Sequence, residues 1–175
     1  MKLAALCVCL LCAWTLAACG VRADRFPGTV VAAPVDLAGQ WQMVLGGQAS
    51  VFVLTPAAAH HYQVTSRADG ATPATMDASI QQYQGAHYLV VADTGQATGV
   101  SVFRVLDAAP AALRIAALDP RKTAAFLTAR GLPVARKKMW LYEEIELTGP
   151  ALEAVLALPA ADIFAMDEAM TLTRQ

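Results

Sequence analysis

Gly39-Gln40-Trp41-Gln42-Met43-Val44-Leu45-Gly46-Gly47 is the stretch that decides the fold. Trp41, Met43 and Leu45 alternate with Gln40, Gln42 and Val44, and the two glycines that follow are a turn signal. A period of two sends successive side chains to opposite faces of an extended chain, so this is a strand ending in a tight turn. Downstream come the apolar run 51–54, then 62–65, then 76–81, where Met76, Ala78 and Ile80 alternate with Asp77, Ser79 and Gln81. The series continues at 87–92, 100–106 and 113–118, with breaks at Asp93-Thr94-Gly95 and at 107–110. Short strands at this spacing predict an antiparallel meander.

The period then changes. Asp119-Pro120 offers an N-cap followed by a first-turn proline, residues 123–130 favour helix, and Gly131-Leu132-Pro133 ends it. Alternation returns over 138–147, with Met139, Leu141, Ile145 and Leu147 on one face, and a second helix is expected over 151–158 between Pro150 and Pro159. A last strand over 168–174 puts Met170, Leu172 and Arg174 on one face. The expected fold is mainly β: an antiparallel up-and-down barrel, or a strongly curved sheet, of about eight or nine strands with two short accessory helices near the C-terminus.

Composition narrows the function classes. The chain has 175 residues, 57% hydrophobic and 15% charged, which is too apolar for disorder. Its 13 Lys and Arg nearly balance 14 Asp and Glu, so neither a basic nucleic-acid surface nor an acidic tail is expected.

The N-terminus reads as an address. Lys2 precedes sixteen uncharged residues, 3–18, which have the outline of a signal peptide and are marginal as a membrane span. Leu16-Ala17-Ala18-Cys19-Gly20 resembles the lipobox of bacterial lipoproteins. That resemblance implies cleavage after residue 18, a diacylglycerol on the Cys19 thiol and a further acyl chain on the new amino group. Several chains together anchor stably where one would be marginal. Gly20, in place of the Asp that tends to retain such proteins at the inner membrane, implies an outer-membrane anchor facing the periplasm. All four cysteines (Cys7, Cys9, Cys12, Cys19) lie in the leader or at the cut, so the folded part has no disulfide and no thiol nucleophile. The expected divisions are a signal peptide over 1–18, a lipidated tether over 19–38 and the β domain over 39–175.

Gly39-Gln40-Trp41 on the first strand, with Arg174 at the end of the last, is similar to the lipocalin and wider calycin superfamily. In those barrels a late basic residue packs across the Trp ring and closes one end, a role the resemblance gives to Trp41 and Arg174. The Thr-Asp-Tyr turn of true lipocalins is absent, and two helices interrupt the strands. The strand succession also resembles small bacterial envelope lipoproteins, which carries no activity with it.

Residues suited to chemistry are few. The sequence contains no nucleophile elbow, no phosphate-cradling P-loop, no His-Glu-x-x-His and, after residue 18, no Cys-x-x-Cys. No catalytic residue, metal set or cofactor is therefore expected. His60 and His61 could join His87 on an ion only if a loop brought them together, because adjacent strand residues face opposite ways; otherwise they are surface histidines. Glu143 shares the face of Met139, Leu141, Ile145 and Leu147, and is the best candidate for a polar group turned toward a ligand. It would need Arg104, Arg114, Tyr62 or Tyr88 as a partner, unless a bulge at Glu143-Glu144 turns both outward.

These readings converge on a small-ligand-binding or scaffolding module held at the membrane by acyl chains, without catalysis. Candidate ligand-facing residues are Glu143, Trp41 and Arg174, and the ligand would be small and apolar. Two alternatives stay open: an envelope assembly or inhibitor protein that acts through a surface patch on a protein partner, and a hydrolase using Glu143.

Overall fold

A computed structural model of the chain describes residues 20–45, 48–67, 74–93, 99–138 and 143–175. The described residues fold as a closed antiparallel β-barrel with a small three-stranded extension and helices on one flank. Two short strands, β1 (Val21–Ala23) and β2 (Thr29–Val30), precede the barrel. Seven barrel strands then follow in sequence: β3 (Gly39–Leu45), β4 (Gln48–Ala58), β5 (His61–Arg67), β6 (Ala74–Tyr83), β7 (Ala86–Asp93), β8 (Val100–Ala109) and β9 (Ala112–Ala117). The chain makes helix α1 (Pro120–Ala129), the hairpin β10 (Ala135–Lys138) and β11 (Glu143–Leu147), and helices α2 (Gly149–Leu156) and α3 (Ala160–Ile163). It returns as β12 (Met170–Arg174), which pairs antiparallel with both β3 and β9. Because β9 also pairs with β8, that eighth strand completes the ring. Closure removes the sheet edges that an open meander would expose.

Alternation explains the barrel interior. Trp41, Met43, Phe52, Leu54, Val64, Met76, Ala78, Ile80, Leu89, Val91, Phe103, Leu113, Ile115 and Leu172 form one core. A second core lies outside the barrel wall, where Tyr88, Val90, Val102 and Ala116 meet Leu127 of α1, Leu152 and Val155 of α2, and Ile163 and Phe164. Strands β7 and β8 are thus buried on both faces, which is why they read as near-continuous apolar runs. Asp119 caps α1 as its side chain accepts the N–H groups of Arg121 and Lys122 at 2.8 and 3.1 Å. Lys122 Nζ donates to the carbonyls of Ala161 and Phe164 at 2.9 and 3.1 Å, tying α1 to the end of α3.

Three features differ from the sequence reading. From Gly20 onward the expected tether is folded: β1 lies between β11 and β8, β2 adds to β6, and residues 31–38 run beneath the barrel. Single apolar residues spaced among prolines gave no period, yet Val21 and Leu37 are each 1% exposed. The alternation over 138–147 is a hairpin, not one strand: Lys138 pairs with Glu143, and residues 139–142 lie outside those described. Leu45 is 44% exposed because β3 leaves the barrel there; the Gly46-Gly47 turn lies outside the described residues.

Candidate functional site

The barrel has a floor, an interior and a mouth. At the floor, Trp41 Nε1 donates to the Leu37 carbonyl at 2.8 Å, which satisfies the only polar atom of a side chain that is 1% exposed. Arg174, paired with Trp41 across β12 and β3, sets its guanidinium carbon 5.1 Å from the indole centroid. Its Nη2 donates to the Asp36 carbonyl and lies 3.9 Å from Asp36 Oδ2. Segment 31–38 is therefore held under the barrel by a ring, a cation and a carbonyl that all depend on one another.

Above the floor is a cavity of about 30 Å³ between Leu37, Trp41, Phe52, Leu113 and Leu172. Its lining is apolar, so a water molecule there would find no hydrogen-bond partner. Pockets for drug-sized ligands run from roughly 300 to 1,000 Å³. Among the described residues, side chains therefore fill most of the space above Trp41.

The opposite end carries a different layer. Buried Met43, Met76 and Met170 lie there with the buried serines Ser50, Ser66 and Ser101, which alternation places on the inner face. Ser50 pairs with Met43, and Ser101 with Val91. These serines stand in no nucleophile motif of the sequence. Their inward parity with Phe52, Val64 and Phe103 was the available signal.

A second cavity, of about 250 Å³, opens on the flank between Arg22, Asp24, Gly99, Glu146 and Thr148. Arg22 is 7% exposed and its Nη2 donates to the Gly99 carbonyl at 2.9 Å. Gly99 has φ +113°, and a Cβ built there would stand 2.7 Å from the Ala23 carbonyl, so β1 can approach β8 only over a glycine. Glu146 lies 3.8 Å from Lys137 Nζ, so the cleft is lined by both signs of charge. Glu144, next to the candidate Glu143, is buried. Arg22 did not stand out in the sequence, because a charge between apolar neighbours in a short strand gives no period; Glu144 was expected to turn outward at a bulge, and it is buried instead.

The remaining candidates fall as follows. Cys19 and the signal segment lie outside the described residues, as does the side chain of Glu143. The Glu143 backbone opens β11, whose Ile145 and Leu147 join the outer core rather than the barrel interior. His60 sits exposed in the β4–β5 turn with φ 62°, and His61 faces Ser79 on β6. His87 pairs with Gln82 on the other side of β6, so a strand separates His61 from His87. Among the described residues no three His, Cys, Asp or Glu side chains are placed to hold a metal ion. Tyr88 is buried against Phe26 and Phe164, and its hydroxyl accepts from Arg104 at 3.4 Å. Burial pushes its pKa up, with the Arg104 charge pulling the other way.

Compared with known proteins, the chain matches no family model, no curated protein and no solved structure. Among the described residues no helix is long and apolar enough to cross a membrane, which leaves the question open for strands.

Proposed function

We propose that this chain is an acyl-anchored lipoprotein of the outer membrane, facing the periplasm, that acts as a scaffolding module through the outside of its barrel and not by catalysis. The observation that carries the reading is the small size of the apolar cavity between the described residues of the barrel, about 30 Å³, which is far below the pocket of an ordinary ligand. Recognition by a protein partner then falls to the exposed strand faces and turns, as in folds whose loops carry function on a rigid frame. An apolar interior also suits a barrel whose outside faces water, whereas membrane-spanning barrels are apolar outside and mostly polar within. The lipobox at 16–20 supports the anchor, and Trp41 beneath Arg174 supports the likeness to lipocalin-type barrels.

A second reading has one observation in its favour. Met43, Met76 and Met170 are flexible side chains lying beyond the small cavity, and repacking them would let it grow to admit a slender apolar ligand. Native mass spectrometry of the mature protein, released from membranes in detergent, separates the two. The expected spectrum shows the chain plus its acyl groups alone, and photo-crosslinking from exposed strand positions in cells yields a discrete protein adduct. A persistent additional small-molecule mass would replace scaffolding by ligand carriage. Cys19→Ala should abolish acyl labelling, and labelling that survives would remove the anchor from the proposal.

A further inference from the structure

The flank cleft is built on one face of the three-stranded extension. On β1, Val21 and Ala23 enter the outer core, and on β11 Ile145 and Leu147 do the same. Alternation therefore sends Arg22 and Glu146, opposite each other in the parallel β1–β11 register, to the other face. Asp24 follows Arg22 by two residues, and its N–H donates to the Leu147 carbonyl at 2.9 Å, which sets it beside Thr148. Arg22, Asp24, Glu146 and Thr148 all line the cleft. Strand spacing sets these four about 4.8 Å apart across the strands and about 6.6 Å apart along them.

Charge alternates around this box. Arg22 and the start of α2 stand on one diagonal, Asp24 and Glu146 on the other. Arg22 forms the base at 7% exposure, while Asp24, Glu146 and Thr148 are exposed at the rim. A guanidinium carries five N–H donors in a rigid fork, more than the Gly99 carbonyl can use. Thr148 is the N-cap of α2 but its side chain makes no cap hydrogen bond, so its hydroxyl is not committed to the helix, and the positive end of the helix dipole lies behind it. Glu146 and Lys137 are both more than half exposed at 3.8 Å, a weak and screened pair.

A simple anion in this box would meet two carboxylates, and a simple cation would meet the guanidinium. Among the described residues no three ligands are placed for a metal ion. A molecule that bears both charges on neighbouring carbons satisfies the two diagonals together. Ala23, Ala135 and Leu147 complete the wall with apolar surface. The volume of about 250 Å³ equals the bulk share of roughly eight water molecules at ~30 Å³ each, the scale of a ligand of about eight non-hydrogen atoms.

We propose that the flank cleft binds a free α-amino acid with a short apolar side chain, its carboxylate on Arg22 and its ammonium between Asp24 and Glu146. The site lies outside the barrel and does not depend on acylation of Cys19. With three of its four polar residues at the rim, it should exchange its occupant freely, so no added mass survives isolation of the protein.

Saturation-transfer NMR of the purified full-length chain, titrated with L-valine, tests the assignment, because valine has about the required size. The expected dissociation constant is between roughly 10 μM and 1 mM, with isobutylamine and isovalerate, which each lack one of valine's charges, about tenfold weaker or worse. Arg22→Lys should abolish binding. Because Arg22 also holds the Gly99 carbonyl, Asp24→Asn and Glu146→Gln, which leave that bond alone, carry the test if Arg22→Lys fails to fold; each should weaken valine about tenfold at an unchanged urea midpoint. Absence of saturation transfer from valine at about 20 mM would overturn the proposal, as would either single-charge analogue binding as tightly as valine. Valine binding that both carboxylate variants leave unchanged would overturn it too, by placing the ligand elsewhere on the protein.

Discussion

Arg174 stands over Trp41, 5.1 Å from guanidinium carbon to ring centroid, across the strand pair that joins the end of the barrel to its beginning. The pair holds three things at once: the last strand, the first strand and, through the Asp36 and Leu37 carbonyls, the segment beneath them. Trp41→Ala should lower stability by about 3–5 kcal/mol, as core aromatic truncations do. Arg174→Ala should lower it by roughly 0.5–2 kcal/mol, the range of a cation over an indole face. Denaturant unfolding of both single variants and the double variant should give a coupling energy above about 0.5 kcal/mol; strictly additive losses would show that ring and cation act separately.

Thr123 in α1 is fully buried and its hydroxyl makes no hydrogen bond. Valine has the same shape without that unmet polar atom. Thr123→Val should therefore raise stability by up to about 1 kcal/mol, read as a higher urea midpoint at unchanged slope. A lower midpoint would mean that the hydroxyl has a partner in solution.

Gly99 combines a positive φ with close approach to the Ala23 carbonyl. Gly99→Ala should cost about 1–3 kcal/mol and speed hydrogen exchange in residues 21–23 more than in the barrel strands. Equal acceleration everywhere would mean that β1 is not a separable part of the sheet.

Tyr88 makes stability depend on alkaline pH. Burial raises its pKa above the ordinary 10.0, against the pull of Arg104, so the unfolded chain ionises first. Unfolding then releases a proton: the stabilisation is fully present below pH 10.0 and is lost as pH rises through the folded-state pKa. The difference in unfolding free energy between the wild type and Tyr88→Phe should be flat up to pH 9 and shrink in the wild type above pH 10. A pH-independent difference would remove the phenol from the alkaline transition.

Much of this architecture is legible in the residues. Period-two alternation marks β3, β6 and β12, short apolar runs mark β4, β7 and β8, and the Asp119-Pro120 start marks α1. Legibility fails where neighbours in space, not in sequence, decide. Val21 is a strand residue only because β11 and β8 flank it, and 138–147 reads as one run because Met139 and Leu141 share the sequence parity of Ile145 and Leu147. Of the candidate site, Trp41 and Arg174 could be paired in advance, since a strand at each end of the chain must meet if a meander closes. Arg22 and the serines at the mouth could not, because their burial comes from long-range packing.

The ring is sealed by pairs between residues 41–43 and 172–174, and between 112–115 and 170–173. During synthesis, β3 and β9 therefore wait with open edges until residue 174 has emerged, and most of the interior cannot be covered before then. Such late, long-range closure makes folding slow and leaves the nascent chain prone to pairing with copies of itself. A protein of this build would gain from a holdase that covers those two edges, and removal of the last five residues would trap the chain as an unclosed sheet.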